Sequence, residues 1–403
     1  MPTHVLIAGA SIAGPALARW LHRYGFTVTV VERAPQRRPG GQAVDLRGVA
    51  KEAVARMGLL DEVRAACTDT AGMSLVNRDN KPLARLRADQ FGGDGLIAEI
   101  EILRGDLSEV FYAATKDDVE YLFGDHIEAL DQHSDGVTVR FAKGSTRQFD
   151  LVVGADGLHS GLRTLVFGPE SDFVRDLDLF LAFFSVPNRL GLESWALQYA
   201  EPGRSAGLRS VRDNAMAVAY FGFSAPRNNY DYRDTQAHKA LLREHCAGMG
   251  WEVPWLLDQV DGAHDFYFDI CSQIEMPRWS QGRVVLLGDA AFCPSPLSGQ
   301  GTSLAVIGAY LLAGELAAAG GDHTAAFAAY ERQLRDLVLA TQKMGRDSAR
   351  RLGGRDRFVA VRTAALLRLA PHPPLKWLIT RLMNKVINGI ELPDYTHLPT
   401  GSG

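Results

Sequence analysis

The amino-acid sequence predicts an α/β protein with a Rossmann-like domain, an inserted domain built on a mixed β-sheet, and C-terminal helices. Three observations support this fold class. The chain begins with a strand, a glycine-rich turn, a helix and a second strand; two further buried strands end in acidic glycine turns; and strand-like apolar segments lie between them. The 403 residues also exceed what one hydrophobic core usually supports, so two structural regions are expected.

The N-terminal unit has the pattern of a nucleotide-binding strand–turn–helix. A short apolar run, Val5–Ala8, leads into a glycine turn from Gly9 to Gly14, and a helical pattern follows to Gly25. The free N–H groups and the positive dipole end of such a helix favour a pyrophosphate. Glu32 ends the second strand and is expected to accept hydrogen bonds from an adenosine ribose. Ser11 stands where the usual motif has its middle glycine.

Two later strands extend this pattern and favour a flavin over a nicotinamide as the resident dinucleotide. The first precedes Asp156-Gly157, and the second, Val284–Leu287, precedes Gly288-Asp289. An aspartate at a strand end can accept a hydrogen bond from a ribityl or ribose hydroxyl. Beyond it, Gly299 and Gly301 expose backbone N–H groups at the start of a small-residue helix, where they would stabilise negative charge on a reduced flavin.

Taken together, these segments resemble the class A, single-component flavoprotein monooxygenases, the group of para-hydroxybenzoate hydroxylase and the tetracycline-inactivating monooxygenases. The matching segments are Gly9–Gly14 with Glu32-Arg33, Gly40-Gly41 to Asp45, Arg104–Leu107, Asp156-Gly157, and Gly288-Asp289 through Gly301. They follow in family order over about three hundred residues. Phe292 stands where many relatives carry a histidine, and no side chain is assigned as catalytic.

The resemblance and the motifs together define an expected FAD site. Its residues are Gly9, Ser11, Ile12, Ala13, Gly14, Glu32, Arg33, Asp45, Arg104, Asp156, Gly157, Asp289, Pro296, Gly299, Gln300, Gly301 and Thr302. The resemblance implies that NADPH or NADH docks transiently at the flavin, and the single complete nucleotide fingerprint of the chain agrees with this. The sequence does not choose between the two.

The resemblance implies the reaction. Reduced nicotinamide would reduce FAD, O2 would add to the ring as a C4a-hydroperoxide, and one oxygen atom would pass to an aromatic or polyketide-like small molecule, by hydroxylation or by Baeyer–Villiger insertion. A phenol, a polyketide or an antibiotic would all fit. Three alternatives stay open: a flavin reductase or dehydrogenase, a non-catalytic flavin-binding protein, and a flavin halogenase, of whose Trp-x-Trp-x-Ile-Pro signature the chain has only Trp251–Trp255.

The substrate is expected to lie against the inserted sheet. Strand-like segments at Leu179–Val186, Ala215–Phe223 and Asp265–Ile270 carry many aromatic residues, of which alternation allows only a subset to face a pocket. The candidates for substrate contact are Phe183, Tyr220, Phe221 and Phe268; Trp195, Gln198 and Arg209 could add polar contacts, although framework roles are expected for them.

The domain boundaries follow from these assignments. The FAD-binding domain is predicted at 1–70, 97–168 and 281–345, the substrate domain at 71–96 and 169–280, and a C-terminal helical region at 346–403. That last region mixes basic and apolar residues, for which packing across the domains is expected, with a membrane-surface helix or a dimer contact as alternatives.

Composition and charge bound the remaining classes. A net charge of −4 without a dominant basic stripe argues against nucleic-acid binding. Four scattered cysteines indicate neither a disulfide framework nor a metal site, so a reducing cytoplasm is expected. No transmembrane segment is expected, since Glu315 interrupts the longest apolar candidate. A monomer or a homodimer would fit.

Overall fold

The computed structural model describes residues 3–37, 41–90, 98–211, 214–227, 230–352 and 359–400, and for 359–360 and 382–387 only the backbone. Gly40, one of the matching residues, lies outside these ranges. The strands are β1 His4–Ala8, β2 Thr27–Glu32, β3 Ala43–Leu46, β4 Gly72–Val76, β5 Pro82–Arg87, β6 Ile100–Leu103, β7 Glu120–Phe123, β8 Ile127–Gln132, β9 Val137–Phe141, β10 Thr146–Phe149, β11 Leu151–Gly154, β12 Val174–Pro187, β13 Trp195–Glu201, β14 Arg204–Val211, β15 Met216–Ser224, β16 Tyr267–Ile274, β17 Ser280–Gln281 and β18 Val284–Leu286.

Helices alternate with the early strands and dominate the end of the chain. They are α1 Ala13–Arg23, α2 Val49–Met57, α3 Leu60–Ala65, α4 Arg104–Ala113, α5 Gly161–Phe167, α6 Thr235–Cys246, α7 Val253–Gln259, α8 Asp289–Phe292, α9 Gly301–Ala318, α10 His323–Leu352, α11 Val359–Leu369 and α12 Leu375–Ile387. Short 3-10 turns lie at Ala88–Gln90, Glu170–Asp172 and Pro296–Ser298.

The predicted Rossmann-like region is built on a six-stranded sheet in the order β17-β18-β11-β1-β2-β7. All neighbouring pairs except β17–β18 are parallel. Val5, Leu6 and Ile7 of the central strand are fully buried, as expected for a parallel strand covered on both faces. This sheet therefore confirms the α/β fold class.

The inserted sheet has seven strands in the order β16-β12-β15-β14-β13-β4-β5. The β13–β4 pair is parallel and the other pairs are antiparallel, so the sheet is mixed, as predicted. One face packs under α6 and α7 through a core that includes Phe221, Leu242 and Leu256. The opposite face turns toward the six-stranded sheet.

Helix α9 forms the centre of the larger core. It packs against α1, α2 and α10. Of the helices in the described residues, α9 is long and apolar enough to cross a membrane by length and composition. However, 72% of it is buried inside the protein, as expected for a core helix. Helix α10 runs unbroken from His323 to Leu352, so the predicted boundary at 345/346 falls inside a continuous helix.

Candidate active site

A cavity of about 1040 Å³ lies between the two main sheets and is lined by residues from both. The carboxyl ends of the parallel strands supply one side, because these ends meet at the same edge of a sheet. Gly9 follows β1, Glu32 ends β2, Ala155 follows β11, and Asp289 comes shortly after β18. The second side is the face of the seven-stranded sheet that is turned away from α6 and α7.

Most of the predicted cofactor residues meet in this cavity. Those that line it are Gly9, Ser11, Ile12, Ala13, Glu32, Arg33, Asp45, Arg104, Asp156, Gly157, Asp289, Pro296, Gly299, Gly301 and Thr302. Two do not line it. Gly14 lies beneath the turn, and Gln300 is buried with 5% of its surface exposed.

The first glycine turn is sterically fixed. Gly9 has φ +109°, and a Cβ there would lie 2.3 Å from the carbonyl oxygen of Ala155. A Cβ on Gly14 would lie 1.9 Å from the carbonyl oxygen of Gly9, so the strand and the helix can approach only with glycine at both positions. Helix α1 begins at Ala13 without a side-chain cap, which leaves its first N–H groups open to an anion.

A second uncapped helix begins at the same cavity. Helix α9 starts at Gly301, its N-cap residue Gln300 provides no side-chain hydrogen bond, and the preceding Gly299 has φ +63°. Two uncapped helix N-termini on one cavity fit a ligand with two separated electron-rich groups. The pyrophosphate and the pyrimidine edge of FAD are such groups.

Glu32 braces the glycine turn. Its two carboxylate oxygens accept hydrogen bonds from the backbone N–H groups of Ala10 and Ala34, each at 2.9 Å. Each oxygen can accept a further bond, so contact with a ribose hydroxyl stays compatible with this bracing. The residue thus has a structural task that the strand-end position alone did not predict.

The aspartates of the two later turns are used differently. Asp156 accepts hydrogen bonds from the Ser160 hydroxyl at 2.5 Å and the Leu162 N–H at 3.0 Å, so its carboxylate holds the turn before α5. Asp289 is exposed, but it faces the cavity rather than the outer surface. Desolvation by the surrounding protein raises the pKa of Asp289, and the positive charge of Arg104 opposes this rise.

The sheet side of the cavity is an aromatic row that crosses the strands. Phe183 of β12 pairs with Tyr267 on one side and with Tyr220 on the other. Tyr220 in turn pairs with Gly207, and Gly207 pairs with Gln198 on the next strand. Directly paired residues share a face. The Tyr220 ring lies across Gly207, where a Cβ would come within 2.0 Å of it, and its hydroxyl donates to the carbonyl of Leu197 at 3.0 Å.

Two predicted substrate residues lie on the wrong face. Phe221 and Phe268 both pair with Ala182, one position along from the cavity row, and their side chains therefore point into the core under α6 and α7. Phe221 is fully buried and Phe268 is 6% exposed. Because strand side chains alternate, neighbours of Tyr220 and Tyr267 cannot share their pocket.

A buried ion pair stands beside the aromatic row. Arg209, two residues along β14 from Gly207, lies 2.6 Å from a carboxylate oxygen of Glu101. The other Glu101 oxygen accepts hydrogen bonds from Thr68 and Thr70, both at 2.7 Å. Burial opposes the charge of Arg209, but Glu101 outweighs it and raises the pKa of the guanidinium, which therefore stays cationic at the cavity wall.

A second charged cluster joins the two domains at the Asp156-Gly157 turn. His159 contacts Glu170 at 3.1 Å and Asp269 at 3.3 Å, and its ring stacks on Tyr232 with centroids 3.8 Å apart. The fully buried Arg163 also binds Glu170, at 3.1 Å. Burial disfavours the imidazolium, but the hydrogen bonds of Asp269 and Glu170 outweigh it and raise the pKa of His159 to about 9.

Comparison with known proteins identifies the family. A family profile described as "FAD binding domain" matches residues 2–338. A flavin-dependent monooxygenase of Legionella longbeachae serogroup 1 (strain NSW150) is 37% identical over 393 residues, which cover 97% of this chain and 98% of that protein. The chain belongs to the FAD-dependent monooxygenases.

A further relative and a solved structure are similar to this monooxygenase over most of its length. Protein Rv1260 of Mycobacterium tuberculosis (strain ATCC 25618 / H37Rv) is 48% identical over 345 residues, covering 85% of this chain and 93% of that protein. The crystal structure of the tetracycline destructase Tet(55) is 37% identical, superposes with a TM-score of 0.85, and covers 98% of this chain and 99% of its own. The monooxygenase takes FAD as cofactor, NAD(P)H as co-substrate, and O2 with a small molecule as substrates.

The structure adds residues that sequence reasoning did not select. Glu101 and His159 line the cavity, as does Tyr267, which belongs to the aromatic segment predicted at Asp265–Ile270, and Gln198 and Arg209 reach it although framework roles were expected for them. Trp195 lies elsewhere, in a smaller cavity at the edge of the inserted sheet. For His159 a local signal existed, since it comes two positions after Asp156-Gly157. Nothing local linked Arg209 to Glu101, 108 positions earlier in the chain.

Proposed function

We propose that this monooxygenase hydroxylates a planar, polycyclic, oxygen-rich small molecule of the aromatic or polyketide type. The observation that carries the proposal is the wall formed by Phe183, Tyr220 and Tyr267 next to the Arg209–Glu101 pair. Aromatic side chains offer flat apolar surface, and a guanidinium binds the oxygen atoms of an enol, phenolate or carboxylate.

FAD fits the other half of the cavity, where the two uncapped helix N-termini lie; once reduced, it supplies the activation of O2. In the proposed assignment, α1 holds the pyrophosphate, Asp289 accepts from the ribityl chain, and α9 meets the pyrimidine edge of the ring. The sheet wall would then face the reactive side of the ring across the cavity.

The side chains of the wall orient the substrate and exclude water. Glu101 fixes the direction of Arg209 and keeps it charged, so Arg209 can hold an oxygen atom of the substrate in one place. Burial raises the pKa of Tyr220 to about 12, and its hydroxyl is already donated to a backbone carbonyl. Tyr220 therefore contributes its ring rather than a proton. Gln198 adds an amide on the same face.

Tetracyclines are the first compounds to test, because Tet(55) is named as a tetracycline destructase and they combine a planar polycycle with enolate oxygens. The assay follows NAD(P)H oxidation over a panel of tetracyclines, aromatic polyketides and simple phenols, and product is measured by mass spectrometry. We expect coupled oxygenation of polycyclic, oxygen-rich compounds.

The matched variants are Arg209→Met, which changes the cavity wall, and Arg204→Met on the same strand, whose side chain is paired with Glu201 and does not line the cavity. Loss of coupled product with Arg209→Met alone supports the proposal. Equal activity of Arg209→Met and the parent, or turnover of phenols only, overturns it.

The remaining assignments are proposals of the same kind. The four cysteines are all free thiols, which supports a reducing, cytoplasmic location. A monomer or a homodimer is proposed as the working form.

A further inference from the structure

Helices α11 and α12 form an amphipathic pair at the β4–β5 edge of the inserted sheet, on the same face as the cavity. The inner side of α11 packs on β5 and β13: Ala364 lies in a cluster with Leu75 and Ala84, and Ala370 lies in another with Leu86. Arg368 also donates a hydrogen bond to the Leu83 carbonyl at 2.6 Å. The pair is therefore attached to the body of the protein.

The outer side of the pair is unusually apolar for a protein surface. Val361, Leu366 and Leu369 of α11 are 65%, 52% and 58% exposed, and Trp377 and Leu378 of α12 are 60% and 46% exposed. Most of the exposed large apolar side chains among the described residues lie on these two short helices. A cluster of this kind indicates an interaction site rather than scattered surface residues.

The charge of the pair is the second, independent observation. Residues 359–390 contain five lysines and arginines and no aspartate or glutamate, whereas the whole chain carries a net charge of −4. Exposed basic groups lie next to the apolar ones: Lys376 precedes Trp377, and the Arg381 guanidinium lies over the Trp377 ring, 5.0 Å from its centroid. Basic side chains around a Trp- and Leu-rich face are typical of helices that lie in a membrane interface.

We propose that α11 and α12 dock the protein on the surface of an anionic phospholipid bilayer. Trp377 and the leucines would enter the headgroup–acyl boundary, and the basic residues would contact the lipid phosphates. A second copy of this chain fits the face less well, because a twofold contact would bring the exposed Lys376 and Arg381 of one copy close to the same residues of the other.

The docking helices lie directly beside the cavity wall. Met73 of β4 lines the cavity, and the same side chain packs on the Leu86–Ala370 cluster, against which Leu367 of α11 and Ile379 of α12 also pack. A bilayer bound to the outer side of this pair would therefore lie one helix layer from the cavity.

The test is co-sedimentation of the full-length, FAD-loaded protein with vesicles. One set contains phosphatidylcholine only, and the other contains about one third phosphatidylglycerol. We expect binding to the anionic vesicles, weakened by salt, and little binding to the neutral ones. Since each basic residue near the surface contributes roughly a fivefold gain in binding, the Lys376→Gln/Arg381→Gln pair should weaken the partition about thirtyfold.

Apolar variants and their controls separate docking from general stickiness. Trp377→Ser with Leu378→Ser should abolish vesicle binding, while Leu339→Ser, at a 50%-exposed leucine that belongs to α10 and not to the pair, should leave it unchanged. Flavin absorbance of each variant checks that the fold is intact. Absence of binding to anionic vesicles overturns the proposal, as does equal binding of the Trp377 and Leu339 variants. Light scattering that shows a homodimer dissociated by the Trp377→Ser/Leu378→Ser change also overturns it.

Discussion

Removal of Arg209 should affect stability and catalysis separately, and a second substitution can distinguish the two. Glu101 is 6% exposed, and it would lose its only charged partner within the described structure in Arg209→Met. Breaking a buried pair by removing one partner costs about 3–5 kcal/mol. The Arg209 side chain is 27% exposed to the cavity and the two threonine hydroxyls remain on Glu101, so we expect the lower limit, about 3 kcal/mol.

For a chain of 403 residues the corresponding fall in Tm is about 4 °C, measured by thermal unfolding of the FAD-loaded protein. Glu101→Gln added to Arg209→Met removes the unpaired charge, while the amide oxygen still accepts from Thr68 and Thr70. The double variant should therefore regain most of the lost stability. In a double-mutant cycle this appears as a coupling energy between the two positions.

Activity should not return with stability. If Arg209 binds an oxygen atom of the substrate, losing that charged hydrogen bond costs about 1.5–3 kcal/mol, or roughly 10- to 150-fold in kcat/KM. The double variant lacks the guanidinium and should stay equally slow. Additive losses of stability would refute the ion-pair argument, and recovery of kcat/KM in the double variant would refute the substrate contact.

Three further predictions test the cofactor side and the charged cluster. Gly9→Ala places a methyl group 2.3 Å from the Ala155 oxygen and should lower FAD affinity at least about tenfold. The control Gly262→Ala makes only an ordinary van der Waals contact and should leave the affinity unchanged. Flavin absorbance after purification measures the FAD content of both variants. Glu32→Ala releases two backbone N–H groups and should weaken FAD retention without changing the ratio of NADH to NADPH use; a switched ratio contradicts the assignment. His159 has a folded pKa raised to about 9, so the stability it contributes is complete below about pH 6.5 and is lost as the pH rises toward 9, by up to about 3 kcal/mol. Denaturant unfolding across this range should show the decline, which His159→Gln should flatten; an unchanged profile in the variant assigns the decline to other groups.

The dinucleotide half of the protein could be predicted because its signals are local. Within 30 residues, the run from Val5 to Glu32 contains the strand, the turn, the helix and the acid, and the family resemblance adds the later turns. Gly9 and Gly14 indicate this local structure strongly, because each stands where two backbone segments approach too closely for a side chain. The hydrogen bonds by which Glu32 braces its own glycine turn could not be predicted, because they depend on the three-dimensional structure.

The substrate-contacting residues of the inserted sheet were harder to predict, because both faces of this sheet are covered by other parts of the protein. Phe221 and Tyr220 are adjacent aromatic residues in the same strand, and alternation places them on opposite faces. Which of the two faces the cavity can be decided only when the strand register is known. No polar pattern marks the cavity face, which carries Leu181 and Val218 as well as Arg209. The Arg209–Glu101 pair joins the two domains, so it depends on how they pack.

The most direct test of the proposed reaction is a turnover of the best substrate from the panel under ¹⁸O2 in ordinary water, with NAD(P)H as reductant. Mass spectrometry should find one ¹⁸O atom in each product molecule, and Arg209→Met should form less of this labelled product in the same time. A product that forms without label from O2 would contradict monooxygenation and favour the flavin reductase or dehydrogenase alternative.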